Sequence, residues 1–180
     1  MRSHPSARVR VLWAAALVLA ALTMGLTFAH TLELPRKMTY GPALWTRVEH
    51  TLYAYFAMVG APIEVITVVL LIVLAVPLRR HQAFWFVVVA AACFAAALGS
   101  WFALVQPANA AIGAWSVHAV PADWTHWRAR WEYGHVTGFA LMLVGYLSLT
   151  VGTVGGMSGA TRHPRDPGAP PLVSSRMPSG

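Results

Sequence analysis

Long apolar runs separated by short polar clusters organise the whole chain. A helix crossing about 30 Å of hydrocarbon needs roughly 20 apolar residues, and Val9 to Ala29 is the first run of that kind. A second run ends at Leu78, before Arg79-Arg80, and counting back about 20 residues puts its other end near Ala57. Helical character is expected to start earlier, near Leu44, as an interfacial stretch with Trp45, Tyr53, Tyr55 and Phe56. The third run is Ala83 to Val105 and the fourth is Tyr133 to Val154. The pattern predicts an all-α integral membrane four-helix bundle over 1–157, with spans near 9–30, 57–78, 83–105 and 133–154. A signal peptide competes for the first run. That run is long, and no clear small-x-small cleavage site precedes His30, so an uncleaved helix is expected. From Ser158 the chain is rich in Pro, Ser and Gly, which predicts a disordered tail over 158–180. No internal repeat is evident.

Composition agrees with the pattern. The chain is 57% hydrophobic and only 11% charged, against about a quarter charged in soluble domains. The net charge of +7 does not signal nucleic acid, because no basic patch is interleaved with exposed aromatics. The cations instead flank apolar runs, as membrane topology requires. The single Cys93 lies within an apolar run, has no partner for a disulfide, and reads as a small core hydrophobe.

Counting cations orients the chain. Arg2, Arg8, Arg10, Arg79, Arg80, Arg162, Arg165 and Arg176 fall on one side, and Arg36, Lys37, Arg47, Arg128 and Arg130 on the other. The positive-inside rule then predicts a multi-pass protein of the cell membrane with both termini cytoplasmic and both longer loops outside.

Chemistry-bearing residues collect on that outer side. Residues three apart on a helix share a face, so His30 pairs with Glu33, and Glu132 with His135. A Glu-x-x-His unit is what carboxylate-bridged di-metal bundles use, and imidazole with carboxylate suits iron, zinc or manganese. His30, Glu33, Glu132 and His135 are therefore a candidate metal set. Helix dipoles alone also favour such placements, so the pairs are open to a plain structural reading. Glu64 is sharper. It sits roughly 20 Å from the cytoplasmic interface and about 10 Å below the outer one, a depth where an acid needs a partner, a proton or a wet cavity. Pro62 is expected to kink the helix beside it. Glu49, Tyr53, Phe56, Gly60 and Glu64 make one stripe, so Glu64 is expected to floor a pocket rimmed by His30 and His135. Trp124, Trp127 and Trp131 form a second stripe, readable as an interfacial belt or as stacking surface for a planar substrate. Arg130 is free to meet Glu33 or an anionic ligand group.

The segments His30-Thr-Leu-Glu-Leu-Pro-Arg-Lys, Leu52-Tyr53 before Glu64, and Asn109 through Trp127-Arg-Ala-Arg-Trp-Glu-Tyr-Gly-His135 resemble the anthrone-oxygenase-like family of four-helix bacterial membrane proteins. The resemblance reaches to about Gly156. It implies a four-helix membrane fold and leaves oxidation of an aromatic substrate open. By motif, Asn109, Trp127, Glu132 and His135 carry over.

Three functions follow as expectations. One is an oxidoreductase or oxygenase acting on a lipophilic or aromatic substrate at the outer face, with Glu64, His135 and Glu132 catalytic and Asn109, Trp127 and Arg130 binding substrate. A non-enzymatic component, such as a small proton-coupled carrier or an assembly partner, is the second. Haem held by His30 and His135 is the third. The expected partners are the lipid bilayer and a lipophilic small molecule, with a homo-oligomer left open and no nucleic acid.

Overall fold

The computed structural model describes residues 6–53 and 55–158. Six α-helices follow in order: α1 (Ala7–Lys37), α2 (Pro42–Thr51), α3 (Phe56–Leu78), α4 (Phe84–Ser100), α5 (Gln106–Gly113) and α6 (Trp124–Ser158). Trp101–Val105 is a π-helical turn that joins α4 to α5 without a break. The expected tail lies outside the described residues, apart from Ser158, which closes α6.

Four helices are long and apolar enough to cross a membrane: Ala7–Lys37, Phe56–Leu78, Phe84–Gly113 and Trp124–Gly155. Around the bundle α1 packs on α3 and α6, and α4 closes the ring by packing on the same two helices. Its core runs through Ala16, Ala20, Leu71, Leu74, Val87, Phe94 and Met142. The outward faces are equally apolar. On α3, Val65, Ile66, Val69, Ile72, Val73 and Val76 all point away from the protein. Such a continuous apolar skin is unfavourable in water and normal against lipid.

Small residues bring α4 and α6 close. A Cβ on Gly145 would lie 3.0 Å from Cys93 Cβ, and one on Gly152 would lie 2.8 Å from Phe86 Cβ. In lipid, where burial supplies no driving force between helices, such close backbone approach is a main source of association energy.

Three helices extend past their expected outer ends. Hydropathy stops where polar residues begin, but backbone hydrogen bonding does not. α1 continues through Pro35 to Lys37, and Met38 N–H closes it on Leu34 O at 3.0 Å. The third span gains α5, and α6 begins at Trp124 rather than Tyr133, its start marked by turns from Trp124 to Pro121 and from His126 to Asp123. Much of the expected outer loop is therefore helix. α2 is separate from α3, because the chain leaves the helix at Leu52 and Tyr53 and α3 starts only at Phe56.

Pro107 explains the π turn. A proline has no N–H for the carbonyl four residues back and crowds it, so the helix widens. The carbonyl concerned is Ala103, and Arg130 from α6 donates to it at 2.6 Å.

Candidate functional site: an aromatic and acid-lined chamber

At the end of the bundle where α2 and α5 cover the spans lies a cavity of about 320 Å³. The predicted stripe Glu49, Tyr53, Phe56, Gly60 and Glu64 lines it, facing His30, His135, Asn109, Trp101 and Trp131. Here α2 and α3, though separate helices, continue one lining. Thr23 and Thr67 meet at 3.4 Å between α1 and α3, and Thr23 also lines the chamber.

The histidines face each other. Their ring centroids are 4.2 Å apart, with Trp131 4.1 Å from His135 and 4.9 Å from His30. Tyr53 and Phe56 complete the packing around His30, at 4.6 and 5.3 Å. Nδ1 of His135 lies 2.9 Å from the Trp131 carbonyl. A carbonyl only accepts, so Nδ1 carries the hydrogen and Nε2 keeps its lone pair as an acceptor or base.

Lys37 organises the end of the chamber beside α2 and α6. It is 2% exposed, and its Nζ lies 2.9 Å from Glu132 Oε2 and 3.8 Å from Glu33 Oε2. The ammonium also sits over the rings of Trp131 and Tyr53, 4.4 and 4.8 Å from their centroids. Trp45 Nε1 donates to the other Glu132 oxygen at 3.0 Å. The Tyr53 hydroxyl donates to Glu33, Trp131 Nε1 donates to Asn109 Oδ1 at 2.7 Å, and His50 Nε2 donates to Ile112 O at 2.9 Å. These bonds tie α1, α2, α5 and α6 together around the chamber mouth. Burial first, then the Glu33 carboxylate beside it, push the Tyr53 phenol above its ordinary value.

Two acids have no such partner. Glu49 is 8% and Glu64 7% exposed, and Oε1 of each is buried without a hydrogen bond. Burial raises Glu49 to about 9, against the opposing pull of Lys37 and with smaller pushes from Glu132 and Glu33.

The expected site residues thus divide. His30, His135, Glu64 and Asn109 share the chamber. Glu132 is 1% exposed and turned toward Lys37 and Trp45. Trp127 donates to Asp123 at 3.0 Å and Arg130 to Ala103, and neither lines the cavity. Glu33 meets Tyr53, Lys37 and His30 rather than Arg130, with His30 Nδ1 at 3.9 Å. The metal set His30, Glu33, Glu132 and His135 does not fit an ion. Lys37 takes the carboxylate that would be needed, and the described residues contain no group of three or more His, Cys, Asp or Glu side chains able to hold one. Haem does not fit between the histidines either. Iron between two imidazole nitrogens would set the ring centroids further apart than 4.2 Å.

Sequence reasoning passed over Lys37 and Trp45. Lys37 was legible in principle, since it lies four residues after Glu33 and seven after His30 on one helix face. Trp45 was placed only as an interfacial aromatic, and its bond to Glu132 depends on how α2 folds back over α6.

Fold and site together define a multi-pass membrane protein with four candidate spans and a chamber at one end of the bundle. No family model matches the chain, and neither a curated protein nor a solved structure matches it at significance.

Proposed function

We propose that the protein is a membrane oxidoreductase acting on a planar lipophilic substrate bound in this chamber. The supporting observation is the imidazole pair, 4.2 Å apart, set among Tyr53, Phe56 and Trp131. Aromatic walls suit a planar body. His135 Nε2, left basic by the bond at Nδ1, removes a proton from an activated C–H or phenol of the substrate. The carbanion adds to dioxygen to form a C–O bond, and the resulting peroxide takes the proton back from His135. O–O cleavage with loss of the remaining C–H proton then releases water and leaves a carbonyl, so that a CH2 group and dioxygen become C=O and water. His30 stabilises the proton on the pair. The resemblance to the anthrone-oxygenase-like family points the same way. The test is oxygen consumption by purified protein in lipid nanodiscs, offered anthrone and other hydroxyaromatics. His135→Gln should slow consumption about a hundredfold or more while binding, followed by tryptophan quenching, stays nearly unchanged. Binding without any His135-dependent consumption would remove the reading.

A second reading, a proton-coupled carrier, draws on Glu64, a buried acid two residues after Pro62 with an unpartnered oxygen. Uptake into proteoliposomes that survives Glu64→Gln would dismiss it. In either role we place both termini in the cytoplasm and the chamber at the outer face. Reporter fusions after Gly155 and at His118 check this, the first responding as cytoplasmic and the second as external.

A further inference from the structure

Acidic side chains concentrate around the chamber although the chain as a whole is cationic. The protein carries +7 overall, yet four of its six acids, Glu33, Glu49, Glu64 and Glu132, gather at this end of the bundle. Lys37 is the cation set among them, and it is held by Glu132 and Glu33. Arg128 is bonded to the carbonyls of Met38 and Tyr40, and Arg130 to that of Ala103. Glu49 and Glu64 are left facing the cavity, each more than nine-tenths buried and each with an unpartnered oxygen.

Hydrogen bonding within the wall leaves the two buried acids unserved. Most wall donors are already used: the Tyr53 hydroxyl by Glu33, the Trp131 indole by Asn109, His135 Nδ1 by Trp131 O and His50 Nε2 by Ile112 O. What remains unserved is the pair of buried carboxyl groups, with His135 Nε2 as a further acceptor; Glu49 holds its proton until a cation lies beside it, when release of that proton leaves it an acceptor. An ammonium group is all donor and carries the complementary charge. Aromatic faces add attraction for a cation, and Tyr53, Phe56, Trp101 and Trp131 supply them. Among the described residues no group of three His, Cys, Asp or Glu side chains is set to hold a bare metal ion.

We infer that the chamber takes a lipophilic organic cation, its protonated amine against Glu64 and Glu49 and its hydrocarbon body against the aromatic walls. This rests on the chamber being the ligand site of the proposed function, and it names the class of molecule that site selects. An amine carried on an aromatic body reaches the chamber with its charge neutralised by Glu64 and its ring beside the histidine pair. Carboxylated analogues are disfavoured, because a permanent negative charge meets the two buried acids while Lys37, Arg128 and Arg130 are already held by other groups.

The test compares two near-isosteres, naphthylmethylammonium and naphthylmethanol, binding to full-length protein in nanodiscs of zwitterionic lipid, read by tryptophan quenching. The ammonium should bind the wild type at least about tenfold more tightly than the alcohol. Glu64→Gln should erase most of that preference, and Glu49→Gln part of it. Equal affinity for the two probes in the wild type overturns the inference, and so does binding of neither. That comparison needs no variant, so a misfolded Glu64→Gln cannot obscure it. Retained ammonium preference with no His135-dependent oxygen consumption would sink the oxidoreductase reading alone. Equal binding accompanied by such consumption would sink the cation inference alone.

Discussion

Lys37 shows how one side chain can hold a site together without lining its cavity. Its ammonium is desolvated, so the protein surrounds it with Glu132, Glu33 and two aromatic faces. Removing one member of a buried pair leaves the other uncompensated, at a cost of about 3–5 kcal/mol. Lys37→Met should therefore destabilise by about that amount, whereas Lys37→Met combined with Glu132→Leu should recover much of the loss. A double-mutant cycle in detergent unfolding measures both. At Glu49 the expectation concerns pH. Its folded value, about 9, is raised above the ordinary 4.5, so the folded state holds the proton more tightly than the unfolded chain. Stability from this residue is fully present below pH 4.5 and is lost progressively as pH rises toward 9. Melting temperature should fall between pH 5 and pH 8 in the wild type, and fall less in Glu49→Gln. Parallel slopes would show that Glu49 does not contribute.

Among the elements, the joint between α4 and α5 decides what faces the chamber. Pro107 widens the helix there, Arg130 satisfies the freed carbonyl, and the turn carries Trp101 and Asn109 to the cavity wall. α6 fits against this turn only because position 134 is glycine: a Cβ there would lie 2.6 Å from Val105 Cγ2 and 3.2 Å from Leu104 Cβ. Gly134→Leu should push α6 away, break the Trp131–Asn109 bond and cost about 1–3 kcal/mol, with loss of probe binding. Gly25→Ala is the control, since nothing lies within 4 Å of its added carbon. Thermal stability and binding of both variants check the contrast. Arg130 carries a lesson too. In sequence it reads as a free cation near a site, but the proline on another helix gives it a backbone partner.

For the molecule as a whole, the bilayer stands in for much of the core a soluble protein would need. α3 buries Glu64, Thr67, Leu71, Leu74 and Leu78 and turns its other apolar residues outward. Val69, near the middle of that outer face, is exposed, so Val69→Asp should cost about 3 kcal/mol of insertion. The inserted fraction, measured by glycosylation mapping or carbonate extraction, should drop accordingly, while Val69→Leu stays at the wild-type level.

Length and apolarity of the runs determined four membrane helices before any coordinates, because hydrocarbon thickness leaves a spanning segment few other options. The stripe from Glu49 to Glu64 was also legible from helical spacing, and it lines one cavity although α2 and α3 are separate helices. Helix ends were not, because hydropathy says nothing about where polar residues go on forming backbone hydrogen bonds. Only the tertiary structure decided which polar groups pair. Glu132 and His135 share a helix face in sequence, yet Lys37 and Trp45 claim the acid while the imidazole turns to His30. Pairing of that kind depends on how α1, α2 and α6 meet in space, and local spacing carries no information about partners on other helices.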